Sequence, residues 1–452
     1  METDHGLQRG IAESNEYSVN RGLSPEFDFI REKAGIREFR LHSNGLRVLL
    51  LRNAVAPVAT FAVVYHVGSR NEAVGYTGAT HLLEHLMFKG TPDFDREKAT
   101  AVAAVLEALG ARFNATTWFD RTNYYETIPS DQIETAIRIE ASRMRGAYLR
   151  DTDRAPEMTV VRNEYERGEN SPFQVLYKET FATAFREHPY HHPTIGWRAD
   201  IEGVTTERLK EFYDVFYHPN NATAMLIGDF EEPDALATLS RHFGRIPPSA
   251  RPIPPVYTTE PAQEGERRFT VRRTGQVAWV ALSWRTVAAR HPDTPVFAVL
   301  GNVLGGGLTA RLHIALVETS LALSVTVVPW QLRDPALFSV FAPVRPGVAP
   351  EDVEKRIREE ITRVALQGVT EAEAEKARTQ IEAEVIFERD STDQVAASLS
   401  EAIAVADWEW YADYPEMVRR VTAEDVRRVA ATYFIDDGLT VGAYLPKESP
   451  AA

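Results

Sequence analysis

The sequence predicts an α+β protein of two homologous halves, each a mixed, largely antiparallel sheet flanked by helices and joined by a Pro-rich linker. Three observations point there. Strand-like and helix-like patterns are interspersed along the chain rather than collected into one class. The stretch Ile246-Pro-Pro-Ser-Ala-Arg-Pro-Ile-Pro-Pro255 forbids both a helix and a central strand, and it divides the chain near its middle. The pattern before that linker also recurs after it. Thr205-Thr-Glu-Arg-Leu209 leads to Phe216-Tyr217 and a strand, and Thr422-Ala-Glu-Asp-Val426 leads to Tyr433-Phe434 and the strand Leu439–Tyr444. In both copies the aromatic follows the acid by ten positions, Tyr217 after Glu207 and Phe434 after Glu424.

The elements follow in order. Residues 1–35 are polar and mixed in charge, and they are expected to form a loosely packed extension. Phe39–His42 and Leu46–Arg52 flank Asn44-Gly45, a hairpin turn signal. Val58–Val67 is a long apolar strand closed by Gly68. A helix begins near Thr77–Thr80, and a second spans Ala99–Leu109 before Gly110. Arg112–Thr117 and Thr122–Ile128 read as an antiparallel hairpin around Trp118–Arg121. Residues 130–150 and 155–170 have helical period; a helix from Thr205 and the strand Ala222–Gly228 close the first half. In the second half, Val277–Trp284 matches Val58–Val67 in character, and a helix follows over Thr294–Leu304. The expected division is therefore extension 1–35, first half 36–245, linker 246–262 and second half 263–452.

Composition excludes several classes. The chain has 452 residues, 44% hydrophobic and 25% charged, an ordinary globular balance. A net charge of −15 argues against nucleic acid, whose phosphates need a basic surface. It favours neutral or basic peptides entering an acidic cavity. There is no cysteine, so disulfides and thiolate metal ligands are excluded. No membrane-spanning apolar run occurs, and the first 40 residues lack the order of a signal peptide. The expected location is cytoplasmic, or periplasmic should a leader precede the sequence given.

The most informative local feature is His81-Leu82-Leu83-Glu84-His85. Residues four apart lie on one helical face, so His81 and His85 can share one metal ion. Glu84 stays on the same side, close enough to reach a water held there. Two imidazoles beside a carboxylate make a hydrolytic zinc site the leading reading, and the half after the linker has no such motif. A catalytic zinc usually has three protein ligands, and without cysteine the third must be His, Asp or Glu. The helical segment Ala155–Arg167 offers Glu157 and Glu164, two turns apart on one face, with Val160 and Val161 to anchor it.

With these landmarks the chain resembles the pitrilysin family of inverted-motif zinc peptidases. It is most similar to the half-length branch that includes mitochondrial processing peptidase and its bacterial relatives. Further landmarks are Leu86-Met-Phe-Lys-Gly-Thr91, Phe113-Asn-Ala-Thr-Thr117, Pro189-Tyr190 with Gly196, and Tyr217-His-Pro-Asn-Asn-Ala222 leading to Gly228-Asp229. The resemblance implies one zinc ion per chain, with His81, His85 and Glu164 as ligands, Glu84 activating water, and Glu157 as a carboxylate behind the site. From His85 to Glu164 is 79 residues, slightly longer than the family's usual gap, which leaves Glu166 and Glu169 as alternatives. It further implies that a peptide adds as a strand beside Asn114, Ala115 and Thr116, with Asn114 making a polar contact. His188, His191 and His192 suggest a second metal, but they sit in a Pro-broken loop and read as packing. Gly305-Gly-Gly307 lacks the Gly-Lys-Ser/Thr of a phosphate loop.

One family feature is missing. Relatives that act alone or as homodimers carry an Arg and a Tyr, seven apart, after that glycine turn. Here Val317 stands at the Arg position and Leu323 or Ser324 at the Tyr position. The expectation is a zinc endopeptidase acting on peptides or unfolded segments inside a two-subunit chamber. This chain would be the catalytic subunit of a heterodimer whose other member, a paralogue, supplies the Arg–Tyr pair. The competing readings are a leader-processing peptidase and a non-catalytic scaffold subunit of the same family.

Overall fold

The structure is a computed structural model describing residues 24–98 and 100–447. Strands β1 (Phe27–Lys33), β2 (Ile36–Leu41), β3 (Arg47–Arg52), β4 (Val58–Tyr65), β5 (Arg112–Thr117), β6 (Thr122–Pro129) and β7 (Ala222–Gly228) form one sheet. Its order is β1-β2-β3-β7-β4-β6-β5. Strands β8 (Arg267–Thr274), β9 (Trp279–Arg285), β10 (Thr326–Pro329), β11 (Leu337–Pro343) and β12 (Leu439–Lys447) form a second, ordered β10-β11-β9-β12-β8.

The two sheets share one plan. The order β3-β7-β4-β6-β5 in the first is repeated as β8-β12-β9-β11-β10 in the second. Each contains one parallel pair, β3 with β7 and β8 with β12, and is otherwise antiparallel. This is the mixed, largely antiparallel α+β architecture expected from the sequence, with two homologous halves.

Helices of the first half are α1 (Ala79–Leu86), α2 (Val102–Ala108), α3 (Ile133–Gly146), α4 (Asp151–Glu169), α5 (Pro172–Ala184), α6 (Arg198–Gly203), α7 (Thr206–Phe216) and α8 (Glu232–Phe243). Those of the second are α9 (Thr294–Gly305), α10 (Pro350–Gln367), α11 (Glu371–Glu388), α12 (Thr392–Val405), α13 (Trp408–Arg419) and α14 (Ala423–Tyr433). The repeated helices α7 and α14 start on threonine caps: Thr205 accepts from the Arg208 amide and Thr422 from the Asp425 amide. The Asn44-Gly45 turn closes the β2–β3 hairpin with Gly45 at φ 74°, a left-handed conformation glycine adopts without strain.

Residues 27–33, expected inside the N-terminal extension, instead form β1, paired antiparallel with β2. The strand is not legible from the sequence because it sits on a sheet edge, where apolar Phe29 and Ile30 are exposed alongside Asp28 and Glu32 and no in–out alternation of polarity results. Residues 1–23 lie outside the described residues. From Gly244 to Glu266 no helix or strand forms, in keeping with the proline density there.

One face of each sheet is closed by a helix of the other half. Helix α5 packs on β8, β9 and β12, burying Val175 and Leu176 against Ala281, Phe341 and Tyr444. Reciprocally, α12 lies across β4, β6 and β7, with Val395, Ala396, Leu399 and Ile403 against Ala62, Val64, Met225 and Ile227. Beside this seam Trp408 is fully buried and its Nε1–H donates to Glu38 Oε2 at 2.8 Å. Arg31 meets Asp407 at 2.7 Å, and Arg47 pairs with the same carboxylate. Among the described residues no helix is long and apolar enough to cross a membrane.

Because each half completes the other's core, the chain is expected to unfold in one cooperative transition rather than two. Leu399→Ala should destabilise that single transition by about 2–5 kcal/mol, the range for emptying a buried leucine site. Urea denaturation followed by tryptophan fluorescence and far-UV circular dichroism checks both points. Two separated transitions, with only the second shifted, would contradict the exchange of helices as a stabilising device.

Candidate metal centre

The site is assembled on α1, whose start is unusually well held. Gly78 caps it at φ 86°, and a Cβ there would lie 2.4 Å from the Ile195 carbonyl oxygen, so only glycine fits. The buried Glu72 carboxylate accepts from the amides of Gly78 and Thr80 at 2.8 and 2.7 Å. Asp200 accepts from the Thr77 amide at 3.1 Å and its hydroxyl at 2.7 Å. Both acids sit at the N-terminal end of the helix, and at Glu72 burial outweighs the amide bonds and pushes its pKa up to about 8. Leu82, Leu83 and Leu86 point into the first core, which leaves His81, Glu84 and His85 on the opposite side.

Helix α4 packs against α1 and brings its carboxylates to that side. Glu164 Oε2 lies 3.7 Å from His81 Nε2 and 3.9 Å from His85 Nε2. Among the described residues, these three are the group of acids and histidines whose donor atoms converge, all within 4.8 Å of one another. Tetrahedral zinc with bonds of about 2.0–2.1 Å spaces its ligand atoms about 3.4 Å apart. The Glu164 contacts exceed that spacing by a few tenths of an ångström and the donors as a set lie within 4.8 Å, so the cluster would close inward to hold the ion. The donors also match in kind, two imidazoles and a carboxylate, with Glu164 half exposed toward open space. Burial, with His85 adding to it, depresses the His81 pKa to about 3, which keeps that ring in the neutral, lone-pair-donating form.

Glu157 stands behind the cluster. Its Oε1 lies 2.9 Å from His85 Nδ1, and its Oε2 accepts from Lys89 Nζ at 2.5 Å. Burial raises the Glu157 pKa, but the bonds from Lys89 and His85 more than offset it, and the carboxyl is held below its ordinary range. An ionised Glu157 fixes the His85 tautomer with Nε2 facing Glu164. Val161 anchors α4 as expected, whereas Val160 is exposed, because adjacent helical residues point 100° apart. Glu166 faces Arg198, and Glu169 faces Lys178 and Arg273, so neither approaches the imidazoles.

Glu84 is buried, which raises its pKa, and a hydrogen bond from the Thr117 hydroxyl partly offsets the rise. Thr117 ends β5, which lies at the edge of the sheet. Side chains alternate along β5. Phe113 packs near Phe88, Ala115 enters the core and Thr117 reaches Glu84, all on the α1 face. Asn114 and Thr116 lie on the opposite face, where Thr116 donates to Asn123 Oδ1 at 2.6 Å. Main-chain groups alternate too. The Trp118 amide bonds the Arg121 carbonyl, so in this register Thr116 and Asn114 bond inward to β6. The amides and carbonyls of Phe113, Ala115 and Thr117 face outward along the open edge. A cavity of about 500 Å³, lined by His81, Thr117, Trp118, Glu164, Tyr165 and Tyr177 among others, opens beside that edge.

The histidine loop is structural. His188 Nδ1 accepts from the Tyr190 amide at 3.1 Å, and its Nε2 meets Asp334 of the second half at 3.0 Å. The glycine turn ends α9, and a Cβ on Gly305 would strike Val327. Lys89 and Thr117 carry no functional signal of their own in the sequence, although they lie within Leu86–Thr91 and Phe113–Thr117. Glu72 carries no sequence signal, since it contacts the helix start only through the fold.

Residues 47–197 match the family model described as Insulinase (Peptidase family M16), and residues 203–381 match the Peptidase M16 inactive domain. A Helicobacter pylori protein named zinc protease PqqE is 32% identical over 399 residues, covering 87% of this chain and 89% of the relative. A crystal structure of a protease from Helicobacter pylori superposes with a TM-score of 0.88 at 29% identity, over 92% of this chain and 100% of that one. An Arabidopsis thaliana protein named probable mitochondrial-processing peptidase subunit beta is 24% identical over 89% of this chain and 77% of its own length. The chain belongs to the M16 (insulinase) peptidase family.

If the cluster holds zinc, Glu157→Gln should weaken zinc binding by about 10- to 100-fold, the usual effect of removing a partner of a ligating histidine. Competition with a chromogenic chelator measures it. Unchanged affinity would assign Glu157 to helix packing alone.

Proposed function

We propose that this member of the M16 family is a zinc-dependent endopeptidase that hydrolyses peptides or unfolded segments, acting as the catalytic subunit of a heterodimer. The convergence of His81, His85 and Glu164 beside Glu84, next to an open strand edge, is the observation that carries this reading. His81, His85 and Glu164 would hold the ion. Zinc bound there would lower the pKa of a water molecule and polarise the scissile carbonyl. Glu84 would take the proton from the attacking water and return it to the leaving amine, and burial raises its carboxyl above the ordinary carboxylate range.

The substrate lies along β5 as an added strand. The outward amides and carbonyls of Phe113, Ala115 and Thr117 bond its backbone, which gives broad tolerance of side chains. Ala115, in the centre of that set, is the expected main-chain partner. Asn114 contributes through its side chain on the other face, where the Thr116 hydroxyl is bonded to Asn123 and Arg121. Folded proteins are excluded by size from the two-subunit chamber.

A paralogous partner supplies the Arg–Tyr pair that Val317 and Leu323 or Ser324 replace in this chain. Leu323 is exposed, consistent with a position at an open surface. Relatives named as mitochondrial-processing peptidase beta subunits favour a second reading in which the substrate is a leader segment of a precursor. In a scaffold subunit the ligand-type residues would have no reason to converge.

The zinc-loaded chain, mixed with a paralogue carrying the Arg–Tyr pair, is expected to cleave a quenched fluorescent peptide. Glu84→Gln should retain zinc and lose about 10²- to 10⁴-fold in rate, the contribution of a positioned base. An active Glu84→Gln protein would remove Glu84 from the mechanism. Full activity of the isolated chain would remove the partner. Absence of both zinc and cleavage would favour the scaffold.

A further inference from the structure

Two contacts made by the end of β5 are not explained by strand pairing. Thr117, the last residue of the strand, turns its hydroxyl inward to donate to Glu84 Oε2. Its own amide and carbonyl face the open edge, in the frame set by the Trp118–Arg121 hydrogen bond. One residue therefore touches both the carboxylate beside the metal ligands and the line along which a peptide would pair.

The strand end is fixed from the second half. Arg121, almost fully buried, donates through one guanidinium nitrogen to the Thr116 carbonyl at 2.8 Å and to the Thr116 hydroxyl at 2.6 Å. Its Nε donates to Glu401 at 2.9 Å, and its remaining nitrogen bonds the same carboxylate. Glu401 lies on α12, the helix that the second half lays across the first sheet. The planar fork of arginine suits this arrangement, because one rigid group spans a backbone carbonyl and a carboxylate. An isolated pair with a half-exposed glutamate would be worth little, but here the guanidinium also holds the peptide unit next to Thr117.

We infer that Thr117 is a positioning residue for Glu84, and that the half without metal ligands sets its position through Glu401 and Arg121. The inference rests on the peptidase reading for its kinetic consequence, but not for its geometry. A peptide paired to Thr117 is brought into register with the base that the same residue orients. The second half then contributes to the geometry of the active base, not only to enclosure of the substrate.

The test uses the zinc-loaded protein, with its partner where activity needs one, and the variants Thr117→Val, Thr117→Ser and Glu401→Gln. Thr117→Val removes only the hydroxyl and keeps the branched shape. It should lower kcat by about 10- to 100-fold, as loss of an orienting hydrogen bond does, with KM and zinc affinity unchanged. Thr117→Ser should recover most of that loss. Glu401→Gln should lower kcat by itself but add nothing in the Thr117→Val background, because both act through one carboxylate. A crystal structure of Thr117→Val should show the Glu84 carboxylate displaced.

Wild-type kcat in Thr117→Val, or a loss that serine does not recover, would overturn the inference, as would loss of zinc from Thr117→Val. Wild-type kcat in Glu401→Gln would remove the second half from it. If the wild-type protein binds zinc but cleaves nothing, the peptidase reading fails, and Glu84 unmoved in the Thr117→Val crystal structure would still overturn the positioning.

Discussion

The constraint on which the rest depends is the exchange of helices between the halves. A sheet with both faces apolar must be covered twice, and each half leaves one cover to the other. Helix α5 closes the second sheet and α12 the first. This ties the halves into one folding unit. It also fixes α4, which runs directly into α5 and carries Glu157 and Glu164 to the histidines on α1. The candidate metal cluster is therefore built on a helix whose neighbour is anchored in the half without the His-x-x-Glu-His motif.

The first core adds a second fixed point behind α1. Arg143 is fully buried between Glu126 and Glu140, with its guanidinium over the rings of Tyr124 and Phe88. A buried charge held by two carboxylates tolerates little displacement, because removing one partner leaves the others uncompensated. Phe88 lies three residues after His85, so the C-terminal end of α1 is pinned by this cluster while Glu72 and Asp200 hold its N-terminal end. Thus α1 is held at both ends.

What the sequence made legible followed from locality. His81, Glu84 and His85 needed only the helical period to be placed together, and Glu157 with Glu164 needed the same rule over two turns. The hairpins at Asn44-Gly45 and Trp118–Arg121, and the repeated α7–β7 and α14–β12 units, carried short-range turn and cap signals. Strand β8 is not legible in the sequence, because Arg267, Arg268, Arg272 and Arg273 give it the composition of a surface loop while parallel pairing to β12 makes it a strand. Arg121 and Glu401, 280 positions apart, could not be paired from sequence at all, since their meeting depends on α12 crossing to the other sheet. Thr117 was visible as a strand residue, but its bond to Glu84 exists only once β5 and α1 are packed.

The central claim is that the three donors hold a zinc ion beside an edge strand that receives the substrate. A crystal structure of the zinc-loaded Glu84→Gln variant with a bound peptide, with anomalous data at the zinc edge, tests both parts at once. The account predicts one anomalous peak within about 2.0–2.2 Å of His81 Nε2, His85 Nε2 and a Glu164 oxygen. It also predicts the peptide as an added strand bonded to the main chain of Phe113, Ala115 and Thr117. A zinc peak elsewhere, or a peptide bound away from β5, would contradict it.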